Sequence, residues 1–127
     1  MLKVIVVDDE PLARKGMLVR LGAFPELEVV AQCSNGDEAV SQILELKPDV
    51  VFLDVEMPGM DGFAVLKTLQ QHQIKLPYIV FVTAYDHYAF NAFEVNALDY
   101  VLKPVEPERL KAAVDKVLKF HAAADSQ

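Results

Sequence analysis

Val4-Ile5-Val6-Val7-Asp8-Asp9, a run of β-branched residues closed by two carboxylates, sets the pattern for the whole chain. A short, unbroken apolar run that stops at a polar residue reads as a buried parallel strand whose carboxyl end lies at a sheet edge. The pattern recurs. Val50-Val51-Phe52-Leu53 stops at Asp54, Tyr78-Ile79-Val80-Phe81-Val82 stops at Thr83, and Leu98-Asp99-Tyr100-Val101-Leu102 stops at Lys103-Pro104. A further strand-like run covers 27–33.

Segments with helical spacing lie between these runs. Glu10-Pro11 opens the first, since proline suits a first helical turn, where its missing N–H would be unpaired anyway. Asn35-Gly36-Asp37 opens the second, which carries Val40, Ile43 and Leu44 on one face. Gly59 to Gly62 leads into the third, with Phe63, Leu66 and Leu69 inward. The fourth covers about 86–95, with Tyr88, Ala89, Phe90, Ala92 and Phe93, and the fifth runs from Pro107 to Phe120 with Leu110, Val114, Val117 and Leu118 in register.

Five strands alternating with five helices predict an α/β fold, a flavodoxin-like (βα)5 three-layer sandwich with a parallel sheet in the order 2-1-3-4-5. That order sets strands one and three side by side at the topological switch point, so Asp8, Asp9 and Asp54 should converge. Residues 1–120 form one domain, and the small, polar stretch 121–127 reads as a linker or tail.

The 127 residues are 53% hydrophobic, enough to fold around a substantial core. No apolar stretch approaches the roughly 18 residues of a bilayer span, and Met1-Leu2-Lys3 leads into a strand without a leader pattern. Cys33 stands alone, which fits plain packing and a reducing cytoplasm. The net charge of −7, with no basic cluster to offset it, argues against direct contact with nucleic acid or an anionic membrane.

The strand ends carry the chemistry. Two carboxylates about 4 Å apart repel by roughly 4 kcal/mol at an effective dielectric near 20, so three together call for a cation or a proton. Oxygen-only ligands with no His or Cys among them point to Mg²⁺ or Mn²⁺. Beside such an ion, Asp54 could attack a phosphoryl donor and form an aspartyl phosphate. Lys103 supplies a compact positive charge and Thr83 a hydroxyl for phosphoryl oxygens, while Tyr100, an aromatic with a polar tip, could follow the position of Thr83. Taken singly these residues have ordinary explanations, such as helix caps or surface lysines; their placement at successive strand ends sets them apart.

These residues resemble the receiver domain of bacterial two-component response regulators. The likeness rests on Val7-Asp8-Asp9-Glu10, Leu53-Asp54-Val55-Glu56-Met57-Pro58-Gly59-Met60-Asp61-Gly62, Thr83-Ala84 and Asp99-Tyr100-Val101-Leu102-Lys103-Pro104, and it covers Leu2 to about Phe120. It implies that Asp54 accepts a phosphoryl group from a sensor histidine kinase. It also implies that Asp9 binds Mg²⁺ directly, that Asp8 acts mainly through water, and that the backbone carbonyl of Glu56 joins them. Thr83 and Lys103 would contact the phosphoryl group, Tyr100 would be the aromatic switch, Glu56 and Tyr85 would tune the lifetime, and Lys103-Pro104 would be cis.

Two departures stand out. The segment from Thr83 to Lys103 is about two residues shorter than in many receivers, so the fourth helix should be short or reoriented, and Val105 replaces a common phenylalanine. The wording from Thr83-Ala84-Tyr85-Asp86 to Asp99-Tyr100 resembles LytR/AlgR-type regulators, which implies a LytTR DNA-binding effector outside this chain. A stand-alone receiver is the alternative. The aromatic residues near Tyr88, Phe90 and Phe93 make the face of helix four, strand five and helix five a candidate surface for a homodimer or an effector. Among other classes, a Mg²⁺-dependent phosphohydrolase shares the nucleophile but would want a second aspartate near Asp54-Val55-Glu56. A flavin carrier would want a glycine-rich loop after strand one, and a degenerate receiver would lack part of the Asp8, Asp9, Asp54, Thr83 and Lys103 set.

Overall fold

The computed structural model describes residues 1–125. Its elements alternate strictly: β1 (Leu2–Val7), α1 (Pro11–Leu21), β2 (Leu27–Cys33), α2 (Gly36–Leu46), β3 (Val50–Leu53), α3 (Gly62–Gln71), β4 (Tyr78–Thr83), α4 (Ala89–Glu94), β5 (Asp99–Leu102) and α5 (Pro107–Asp125). The five strands pair in parallel in the order β2-β1-β3-β4-β5. This is the expected flavodoxin-like arrangement.

The pleat explains why the central strands are apolar without interruption. Successive side chains point to opposite faces, and helices cover both. Val4, Val6, Phe52, Val80 and Val101 pack with Met17, Leu21, Leu110, Val114 and Val117 on the α1/α5 side. Ile5, Val7, Leu53 and Phe81 pack with Ile43, Val65, Leu66 and Leu69 on the α2/α3 side. Cys33 belongs to that second layer, where burial pushes its thiol up to about 12, in keeping with a packing role.

Local signals set most helix starts. Pro11 stands in the first turn of α1. The Asn35 side chain accepts from the Glu38 N–H at 2.8 Å while Glu38 accepts from the Ser34 N–H at 3.0 Å, a reciprocal cap on α2. Asp61 caps α3 through the Ala64 N–H at 2.8 Å.

Two boundaries differ from those expected. Helix α4 is six residues long, short as the compressed Thr83–Lys103 segment implies but narrower than the span of about 86–95. It ends where Asn96 turns left-handed at φ 62°, a conformation asparagine tolerates, and the Ala97 N–H closes the turn on the Ala92 carbonyl. At the other end, α5 continues five residues past Phe120 to Asp125. His121-Ala122-Ala123-Ala124 contains good helix formers, His121 lies 3.3 Å from Asp125 one turn on, and its ring meets Tyr78 edge-on. The expected tail at 121–127 is therefore helical as far as it is described, and positions 126 and 127 lie outside the described residues. The Lys103-Pro104 bond is cis. Among the described residues no helix is long and apolar enough to cross a membrane.

Candidate functional site

Strand register assembles the site. Val7 stands opposite Leu53, so the residues that follow them leave adjacent strands together, and the Asp54 N–H donates to the Val7 carbonyl at 3.0 Å. Thr83 stands opposite Leu102, and the Lys103 N–H donates to the Thr83 carbonyl at 2.8 Å. Four neighbouring strands thus deliver Asp8, Asp54, Thr83 and Lys103 to one edge.

Asp8, Asp54 and Thr83 are the buried polar side chains of the described residues. Asp8, Asp9 and Asp54 each offer a carboxylate oxygen within 4.8 Å of the others. The Lys103 ammonium reaches across the sheet to Asp8 at 2.7 Å and to Asp54 at 3.3 Å, with exposed Glu10 at 3.9 Å. Asp8 also accepts from the Glu10 N–H at 2.9 Å, and its backbone carbonyl accepts from the Arg14 guanidinium at 2.7 Å.

The charges do not balance. Burial raises the Asp54 pKa; Lys103 counteracts this, Asp8 adds to it, and the lowering effect of the Thr83 hydroxyl does not reverse it. Burial works against the Lys103 ammonium, but its hydrogen bond to Asp8 and the charges of Asp54 and Asp8 outweigh that and raise its pKa. The two shifts agree once the distances are compared, because the lysine leans toward Asp8 and leaves Asp54 the less well served. A cluster of oxygen donors with surplus negative charge and an open mouth fits a hard divalent cation.

The mouth is a cleft of about 510 Å³ lined by Asp9, Asp54, Glu56, Tyr85, Tyr88 and Lys103 among others. Glu56 donates its N–H to Asp54 Oδ1 at 3.3 Å. Under the site, α3 begins so close to β3 that a Cβ on Gly62 would lie 2.6 Å from the Asp54 carbonyl oxygen, so only glycine fits without a shift. Tyr85 donates its N–H to Thr83 Oγ1 at 3.4 Å and is 43% exposed. Tyr100 is half-buried against Phe81 with its hydroxyl donating to the Tyr85 carbonyl. Every expected site residue except the Glu56 side chain thus meets another member of the set, or joins the carboxylate cluster.

The Glu56 carboxylate turns instead to Tyr88, whose hydroxyl donates to Oε2 at 2.9 Å. That hydrogen bond pushes the Tyr88 phenol above its ordinary range. Tyr88 and Arg14 are contacts that the strand-end pattern did not single out. Neither ends a strand, and no local signal in the sequence reaches from 88 to 56. Nearby, Phe90 and Phe93 of α4 are 70% and 79% exposed.

Known proteins are similar to this chain in sequence and fold. The profile of the response regulator receiver domain matches residues 4–115. The transcriptional regulatory protein BtsR of Salmonella typhi is 42% identical over 126 residues, covering 98% of this chain and 52% of that protein. An uncharacterized response regulatory protein of Vibrio cholerae is 46% identical over 125 residues, with the same two shares. The chain spans about half the length of these curated relatives. The crystal structure of the response regulatory domain of mrkE from Klebsiella pneumoniae matches with a TM-score of 0.82 at 32% identity, covering 98% of this chain and 99% of that one. With the carboxylates, hydroxyl and ammonium on successive strand ends and with these relatives, the chain belongs to the response regulator receiver domain family, the regulatory phosphoacceptor module of two-component systems.

Proposed function

We propose that this chain is a phosphorylation-controlled switch in which Asp54 accepts a phosphoryl group from a sensor histidine kinase. The observation that carries the reading is a buried aspartate, at the cleft floor, whose neighbours outnumber its one cationic partner. In the transfer, an Asp54 oxygen bonds to phosphorus as the P–N bond to the donor imidazole breaks. Asp9 and Asp54, the backbone carbonyl of Glu56, and Asp8 through water would hold Mg²⁺ or Mn²⁺. When bound, that cation neutralises charge on the transferring oxygens. Lys103 is poised to move from carboxylate to phosphoryl oxygen, and Thr83 to donate to another.

The output follows from what these contacts change. Phosphorylation shifts a two-state element only through interactions that differ between the states. A Thr83 hydroxyl that moves to donate to the phosphoryl group would carry its oxygen away from the Tyr85 N–H it accepts from at 3.4 Å, and Tyr85 is the residue whose carbonyl holds the Tyr100 hydroxyl. The rearrangement reaches α4, β5 and α5, where Phe90 and Phe93 offer an apolar surface for a homodimer. Glu56 and Tyr85, at the cleft mouth, would tune the lifetime. The wording of the α4 region and the greater length of the transcriptional relatives support a LytTR DNA-binding effector and a cytoplasmic setting.

Intact-protein mass spectrometry after incubation with acetyl phosphate tests the reading. It expects a Mg²⁺-dependent gain of one phosphoryl group that is lost in Asp54→Ala. A gain that survives in Asp54→Ala would move the acceptor elsewhere.

A further inference from the structure

We propose that Tyr88 is a positioning residue for the Asp54 site: its hydroxyl braces the Glu56 carboxylate across the cleft mouth and slows the access of water to phosphorylated Asp54. This rests on the reading of Asp54 as the phosphoacceptor. The brace joins the loops that follow the neighbouring strands β3 and β4, beyond the last paired residues Leu53 and Phe81. Glu56 is held at both ends, by its N–H on Asp54 Oδ1 at 3.3 Å and by the Tyr88 hydroxyl at 2.9 Å. Tyr88 is itself anchored, with its ring 4.2 Å from that of His87, 5.9 Å from Phe63 and 6.3 Å from Tyr85. A rigid aromatic with a polar tip holds such a contact at small entropic cost.

The side chain of Tyr85, the other residue at this mouth, points elsewhere: its backbone serves Thr83 and Tyr100, and its ring lies edge-on to His87 and Tyr88. Tyr88 therefore supplies the side-chain contact to Glu56. Both line the cleft through which water must come. In hydrolysis a water oxygen bonds to phosphorus and the P–O bond to Asp54 breaks. The electron pair returns to the carboxylate, and the proton of the water leaves to solvent as inorganic phosphate departs. A brace over that path lengthens the lifetime without touching the reacting atoms.

The test follows decay of the phosphorylated chain by intact mass after acetyl phosphate and Mg²⁺ are removed by rapid desalting and Mg²⁺ is restored. Tyr88→Phe keeps the ring and its packing and removes the hydroxyl alone. It and Glu56→Ala should each speed decay on the order of threefold to tenfold, the range one net hydrogen bond spans. The double variant should decay no faster than either single one, since both remove the same bond. Glu56→Gln, whose amide carbonyl still accepts from Tyr88, should decay more slowly than Glu56→Ala. An unchanged rate in Tyr88→Phe, additive effects in the double variant, or Glu56→Gln decaying as fast as Glu56→Ala would each overturn the brace. Failure of the wild type to take up phosphoryl would instead remove the reading of Asp54, and this inference with it.

Discussion

Asp54 and Asp99 lie at comparable depth, with side chains 7% and 10% exposed and cations beside both, yet folding drives their pKa values in opposite directions. Burial opposes the charge in each case. At Asp99 it is overcome: Arg109 grips both carboxylate oxygens at 3.0 and 2.6 Å, the Tyr100 N–H donates at 2.8 Å and Lys116 stands at 3.6 Å, so the pKa falls. At Asp54 burial prevails, because one lysine is shared with a second buried carboxylate. The number and geometry of partners separate the two, and depth does not. Asp99 anchors α5 to β5, whereas Asp54 sits among charges that an added cation or phosphoryl chemistry would rearrange.

The largest expected break in this comparison is chemical. Asp54→Ala should abolish phosphoryl uptake from acetyl phosphate, while Asp99→Asn should still be labelled, both read by intact mass. Loss of labelling in Asp99→Asn at a temperature where it stays folded would erase the distinction.

Stability should show the reverse ranking. Asp99→Ala leaves Arg109 and Lys116 without their carboxylate; discounted for the partly exposed cations, the loss should be about 2 kcal/mol in urea unfolding. Because folding lowers the Asp99 pKa, its contribution is complete above the ordinary value of 3.8 and is lost as the pH falls through the folded value. The acid limb of the stability curve below about pH 4 should accordingly flatten in Asp99→Asn.

Cation addition sharpens the contrast further. Mg²⁺ at ten times its dissociation constant should stabilise the wild type by about 1.4 kcal/mol. Thermal melts of Asp9→Ala should lose that gain, and those of Asp99→Asn should keep it. The smallest effect belongs to Asp54→Asn in metal-free buffer, which should change stability by less than about 1 kcal/mol and in the stabilising direction, since it removes one of the crowded charges. A clear destabilisation would mean that the Lys103 pairing outweighs burial after all.

How far the sequence could be read depended on how local each signal was. The run Val50-Val51-Phe52-Leu53 announces a buried strand because both faces of a covered parallel sheet demand apolar residues. Asn35 and Asp61 cap their helices through residues three positions on. Tyr88, Phe90 and Phe93 looked alike as one aromatic cluster. In the folded chain Tyr88 turns to Glu56 and Phe63, and both phenylalanines face outward. That division follows from where α4 begins and ends, at Tyr88 and just before the left-handed Asn96. The extension of α5 past Phe120 depends on a pairing one turn away and a ring from β4.

By itself, the sequence determined the alternating elements, the parallel sheet and the convergence of polar residues at its edge, since burial on both faces and right-handed crossovers leave few alternatives. Only the tertiary structure decided that Lys103 favours Asp8 over Asp54, that Arg109 rather than solvent answers Asp99, and that Tyr88 reaches Glu56. The reason is physical. Strand runs and caps are set within a few residues, whereas these contacts join groups 10 to 95 positions apart, and their lengths depend on how neighbouring strands and loops are placed in space.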